Sequence, residues 1–153
     1  MANIQIDYEN LTQLIATRLN RVKETAGGGI YKDLDLVVEQ ERVFAKRKTV
    51  SPNAVYIKVS FQEAVVNFGS ASCPVVLDIL SEDRTFSLAY GLMTAFVSQE
   101  NLKSEGAHTF VYSSPEVQSP IEIVGSGIRS VLTISATILV AGNSIERITE
   151  IIY

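Results

Sequence analysis

The apolar and polar positions between Ser51 and Val97 change from alternation to helical spacing, and the rest of the chain reads as organised around that stretch. From Ala54 to Gln62, Val55, Ile57, Val59 and Phe61 alternate with Tyr56, Lys58, Ser60 and Gln62. A period of two predicts a strand with one face on a core. A short link through Asn67-Phe68-Gly69-Ser70 leads to a second strand, Cys73 to Leu80, in which Val75, Leu77 and Ile79 repeat the pattern. The spacing then turns helical: Phe86, Ala89, Tyr90, Met93, Phe96 and Val97 share one face, fit to cover the sheet. Ser81 is the expected start, with Glu82 and Asp83 in a first turn that favours negative charge, and the helix should reach Asn101 or Lys103. Gly91 inside it suggests a close approach to the neighbouring sheet or a tolerated flaw.

Upstream, Asp7 is placed to cap a first helix whose apolar stripe is Leu11, Leu14, Ile15, Leu19 and Val22. Thr12, Gln13, Arg18, Arg21 and Lys23 fall outside that stripe. Gly27-Gly28-Gly29 stops the helix or makes a hinge. Leu34, Leu36 and Val38 suggest a short strand, Val43 to Val50 another, and Ser51-Pro52-Asn53 breaks the chain before the central strand. Downstream, Lys103-Ser104-Glu105-Gly106 reads as a turn and Thr109 to Tyr112 as a strand. Ile121, Ile123 and Val124 can form a further short strand. The clearest alternation is Leu132, Ile134, Ala136, Ile138 and Val140 against Thr133, Ser135 and Thr137. Ile145 to Tyr153 is too apolar for a free tail and reads as a final strand or a docked extension. The expected architecture is therefore one α+β domain over residues 1–153: a twisted, mostly antiparallel sheet covered by two main helices, with terminal arms available for subunit contacts.

Composition narrows the classes. With 153 residues, 46% hydrophobic and 20% charged, the chain can bury a core without metal or disulfide staples. A net charge of -4 argues against an autonomous nucleic-acid binder. Cys73 is the sole cysteine, so no internal disulfide forms. The first residues lack the pattern of a signal peptide, and the apolar run Ile128 to Ala141 is shorter than a bilayer span, so a soluble intracellular protein is expected. Against the acidic background, Arg42, Lys46, Arg47 and Lys48 concentrate positive charge. The plain reading is a solvated loop or charged edge strand; the functional one is contact with an acidic partner surface or passing nucleic acid.

No residue grouping carries a recognisable reaction. His108, the only histidine, falls in an expected turn and would need Cys73 nearby for a zinc site or a nucleophile pair. Pro74 looks like a strand-entry residue. The triple glycine is followed by Ile30-Tyr31-Lys32-Asp33, without the Lys-Ser or Lys-Thr of a phosphate loop, and Gly125-Ser126-Gly127 lacks a third glycine and leads into a strand. Glu82, Asp83 and Glu100 carry no mark of acid–base work, and the six tyrosines are too scattered for a stacking platform. No catalytic, metal or cofactor residue is assigned.

Several stretches resemble the tail terminator (tail completion) proteins of bacteriophages and the related head–tail joining and neck proteins. They are Ser51-Pro52-Asn53-Ala54-Val55-Tyr56-Ile57, Val65-Val66-Asn67-Phe68-Gly69, Ile79-Leu80-Ser81-Glu82 and Gly127-Ile128-Arg129-Ser130. The resemblance covers the first helix and about Val43 to Ala141. It implies a non-enzymatic virion protein, assembled in the host cytoplasm, that forms a ring, commonly a hexamer. Such a ring caps the tail tube and meets the neck, connector or sheath, with no membrane and no sequence-specific nucleic acid as partner. Another ring-forming neck or connector protein is the near alternative. A small α+β enzyme or ligand-binding domain, with its pocket between the sheet and the second helix, is the distant one.

Overall fold

The computed structural model describes residues 6–40, 53–67, 70–82, 85–105, 108–117 and 130–141. Helix α1 (Tyr8–Thr25) is capped by Asp7, whose carboxylate accepts from the Asn10 N–H at 3.0 Å. It ends in a 3-10 turn, Ala26–Gly29, where Gly27, Gly28 and Gly29 all have positive φ. A triple glycine is what three successive left-handed residues require, so the stretch is a built stop.

Strands β1 (Asp35–Gln40), β2 (Ala54–Phe61), β3 (Val65–Asn67) and β4 (Ser70–Ser81) follow. Helix α2 (Phe86–Glu100) then precedes β5 (Ser104–Glu105), β6 (His108–Tyr112), β7 (Glu116–Val117) and β8 (Ser130–Ala141). Among the described residues these eight strands make one open, mixed sheet in the order β1-β2-β4-β8-β6-β5, with β3 extending β2 along β4 and β7 extending β6 along β8. Only β1 with β2 is parallel; all other pairs are antiparallel. The expected mostly antiparallel α+β fold is what the chain adopts.

The centre is the twelve-residue ladder of β4 with β8, in register from Ser70 opposite Ala141 to Ser81 opposite Ser130. On the face carrying Val55, Ile57, Val59, Cys73, Val75, Leu77, Ile79, Leu132, Ile134 and Ile138, both helices pack. Leu11, Ile15, Leu19 and Val22 of α1 and Ala89, Leu92, Met93 and Phe96 of α2 complete that single core.

Proline in an interior strand is unusual, because it cannot donate to the ladder. Pro74 sits within β4 rather than at its entry, with Thr137 opposite on β8. Its carbonyl faces β2, accepting from the Gln62 N–H at 2.9 Å. A strand residue directs its N–H and C=O to the same side, so the missing donor faces β2 as well. There the partner bulges: Phe61 opposes Val75 and Val65 opposes Ser72, so three residues lie between these pairs on one strand against two on β4. A second bulge of the same count lies between β6 and β7, since Tyr112 opposes Ala136 and Glu116 opposes Thr133. Ser113 holds it, its N–H donating to the Ser135 carbonyl while its Oγ accepts from the Ser135 N–H.

Several expectations are corrected. Helix α2 does not begin at Ser81. The β4–β8 pairing runs through that residue, and the helix starts only after a turn in which the Thr85 N–H reaches the Glu82 carbonyl. Gly91 faces Tyr31 rather than the sheet: a Cβ there would lie 2.5 Å from the tyrosine Oη. Residue His108 belongs to a strand, not a turn, opposite Glu105 and Val140. Thr12 and Arg18, assigned outside the α1 stripe, are both buried. The Thr12 hydroxyl satisfies itself on the Tyr8 carbonyl at 2.8 Å. Expected strands at 43–50 and 121–124 and the extension 145–153 lie outside the described residues.

Candidate functional site

The sheet has two unlike faces. On the one away from the helices, registers align Glu39, Lys58, Asp78, Thr133 and Glu116 in one row across β1, β2, β4, β8 and β7. Lys58 Nζ lies 3.7 Å from Asp78 Oδ2, and the Thr133 hydroxyl donates to Asp78 Oδ1 at 3.2 Å. Both charged side chains are about a quarter exposed, so the pair is screened and adds little to stability. Beside this row stand Ser60, Val76 and Ser135, then Pro74, Thr137 and Val111, then Val65, Ser72, Leu139 and Thr109. Val65 and Leu139 are exposed, whereas Tyr56 and Leu80 on the same face are buried. The face is thus a mixture of hydroxyls, small aliphatics, the Lys58–Asp78 pair and the acids Glu39 and Glu116. It can be covered at modest desolvation cost, unlike a field of free carboxylates.

Beneath the opposite face lies a buried ion pair. Arg18 is 2% exposed and reaches Glu100 at the end of α2, with Nε 3.1 Å and Nη2 3.0 Å from Glu100 Oε2. Nη2 also donates to the Lys103 carbonyl at 3.2 Å, and the guanidinium lies 4.0 Å above the Phe110 ring. Phe96 and Phe110 flank Tyr112, whose N–H donates to Asn101 Oδ1. Burial raises the Tyr112 phenol well above the usual tyrosine range, with Glu100 adding to the effect and Arg18 opposing it. Arg18 Nη1 and Tyr112 Oη have no hydrogen-bond partner. The cluster fastens α1, α2 and β6 together. Residue type alone hid Arg18; its spacing from Leu11, Ile15 and Val22 put it on the stripe all along.

The residues weighed for chemistry do not converge. Cys73 is buried on β4 with its thiol pushed up by desolvation, while His108 is on β6, with β8 between them. Two strand spacings put them on the order of 10 Å apart. Glu82 and Glu100 bracket opposite ends of α2, and Glu100 is committed to Arg18. Among the described residues no group of three or more His, Cys, Asp or Glu side chains could hold a metal ion, and no helix is long and apolar enough to cross a membrane. The space between the sheet and α2, where a ligand pocket was the alternative expectation, is filled by Ala89, Leu92, Met93 and Phe96. Arg42, Lys46, Arg47 and Lys48, the candidate partner contacts, lie outside the described residues, as does Gly125-Ser126-Gly127.

Among the described residues, cavities open at two margins of the fold. One, of about 430 Å³, is bordered by Tyr8, Gln40, Phe61, Gln62 and Glu63 beside the β2–β3 bulge. The other, of about 410 Å³, has Ile30, Asp33, Leu34, Asn53, Thr85 and Leu88 in its lining, at the start of α2. No protein-family model matches the chain, and no curated protein matches it either.

Proposed function

We propose that the chain is a structural protein of a bacteriophage virion, without enzymatic activity, that assembles into a ring, ends the tail tube and docks to the head or neck. The observation that carries the reading is the open sheet, on which both described helices pack against one face. Its other face is a mixed hydroxyl and aliphatic surface of the kind that packs against a symmetry-related copy. The resemblance of the Ala54 and Ser130 strand regions to tail terminator proteins supports the same reading. Its partners are then further copies of itself, the tail tube protein, and the neck, connector or sheath, met in the virion after assembly in the host cytoplasm. Arg42, Lys46, Arg47 and Lys48 supply positive charge suited to an acidic partner surface.

Electron microscopy of the purified protein mixed with polymerising tail tube protein tests this. Closed rings seated on tube ends, with tube growth halted, are expected. Tubes that lengthen as fast with the protein as without it contradict the reading.

A further inference from the structure

Helix α2 ends at an unusual corner. Asn101 closes the helix, and Leu102 follows with φ of 63°, the described non-glycine residue in the left-handed region. A left-handed residue after a helix is a common terminator, but glycine or asparagine normally fills it, because a Cβ is disfavoured there. Leucine is a costly choice, and its side chain is 69% exposed. Exposed Lys103 follows it, with its carbonyl held by Arg18. The backbone on either side is pinned, since the Leu102 N–H donates to the Phe110 carbonyl at 2.8 Å and the Phe110 N–H to the Lys103 carbonyl at 3.2 Å. A rigid turn therefore projects one large apolar side chain and one cation into solvent.

At the other end of the same helix is the 410 Å³ recess. Buried Leu34 forms its floor, Ile30 and Leu88 are exposed apolar walls, and Asp33 is an exposed acid on its margin. Fifteen helical residues separate the two features by about 22 Å. Projection and recess match in kind, leucine to leucine and isoleucine, and lysine to aspartate. Because they lie at opposite ends of one element, they cannot meet within one chain. On the ring reading they join copies head to tail, the contact type that closes into rings.

We propose that the Leu102–Lys103 corner of one copy seats in the Ile30–Leu34–Leu88 recess of the next, with Lys103 facing Asp33. This rests on the ring reading and names the contact that carries it. Strain at Leu102 is then retained because the side chain works only in the assembly.

Disulfide trapping between copies tests the contact. Leu88→Cys and Leu102→Cys chains are mixed and oxidised; native Cys73 is buried and stays silent. A covalent pair in the mixture, absent from either variant alone, is expected, and the chain carrying both changes should give a ladder of linked copies. Rings that form without the mixed link, or Leu102→Cys chains that link to each other, overturn the contact while leaving the ring. Wild-type protein that stays single at every concentration overturns both. Leu102→Gly supplies the second readout: relief of the left-handed leucine raises the melting temperature of the dilute chain, while the concentration needed for assembly rises about tenfold or more. Assembly unchanged by Leu102→Gly also overturns the contact.

Discussion

At the scale of single residues, the buried Arg18–Glu100 pair is the most consequential feature of the helix-covered face. Removing one member strands the other charge in the core, so Arg18→Met should cost about 3–5 kcal/mol in urea unfolding, whereas Arg18→Met with Glu100→Leu should recover most of that loss. Tyr112 offers a test by pH. Its phenol holds its proton in the folded state to higher pH than in the unfolded chain. Its contribution is therefore intact below about pH 10 and is lost as pH rises above the unfolded tyrosine value. Tyr112→Phe removes that alkaline slope, and because the hydroxyl has no partner, the variant should be no less stable than wild type at pH 7. Unfolding curves at pH 7 and pH 10.5 check both halves. Arg18 also shows where reading by residue type misleads: its position on the α1 stripe was plain from spacing, but no sequence signal announced that Glu100, 82 residues away, would meet it.

Among elements, legibility followed the strength of local periodicity. The β2, β4 and β8 alternations read directly because each buries one face against helices, and a period of two survives whatever the partner. The start of α2 did not read directly. Glu82 and Asp83 look like first-turn acids, yet β4 keeps its ladder with β8 through Ser81, and tertiary pairing overrides the local cap signal. The β2–β3 bulge and the pairing of β7 were hidden for the same reason: one extra residue in a strand is visible only against its partner. Gly91 was legible as a close approach but not in its partner, since Tyr31 comes from the turn after the triple glycine. That contact makes a prediction of sign. Gly91→Ala should destabilise by about 1 kcal/mol or more, because Tyr31 is itself buried and must shift. In a Tyr31→Leu background the same change should stabilise by up to about 1 kcal/mol, the helix preference of alanine over glycine. Thermal melts of the four chains decide it.

For the whole molecule, both described helices pack on one side of the sheet, and on the proposed reading the polar–aliphatic face and the two ends of α2 are the surfaces shared with other copies. Such a design concentrates function in geometry, which a sequence displays poorly: the Leu102 corner and the Ile30 recess are 72 residues apart in the chain and gain meaning only from where α2 puts them. The basic run Arg42 to Lys48 was legible as charge alone. The measurement that bears most directly on the account is the mass of the purified chain across a concentration series, by light scattering. A single defined species several times the 16.7 kDa chain mass, reached cooperatively and with closed circular outlines under the microscope, is the predicted result. A mass that remains that of one chain up to millimolar concentration, or that grows without limit into open filaments, contradicts it.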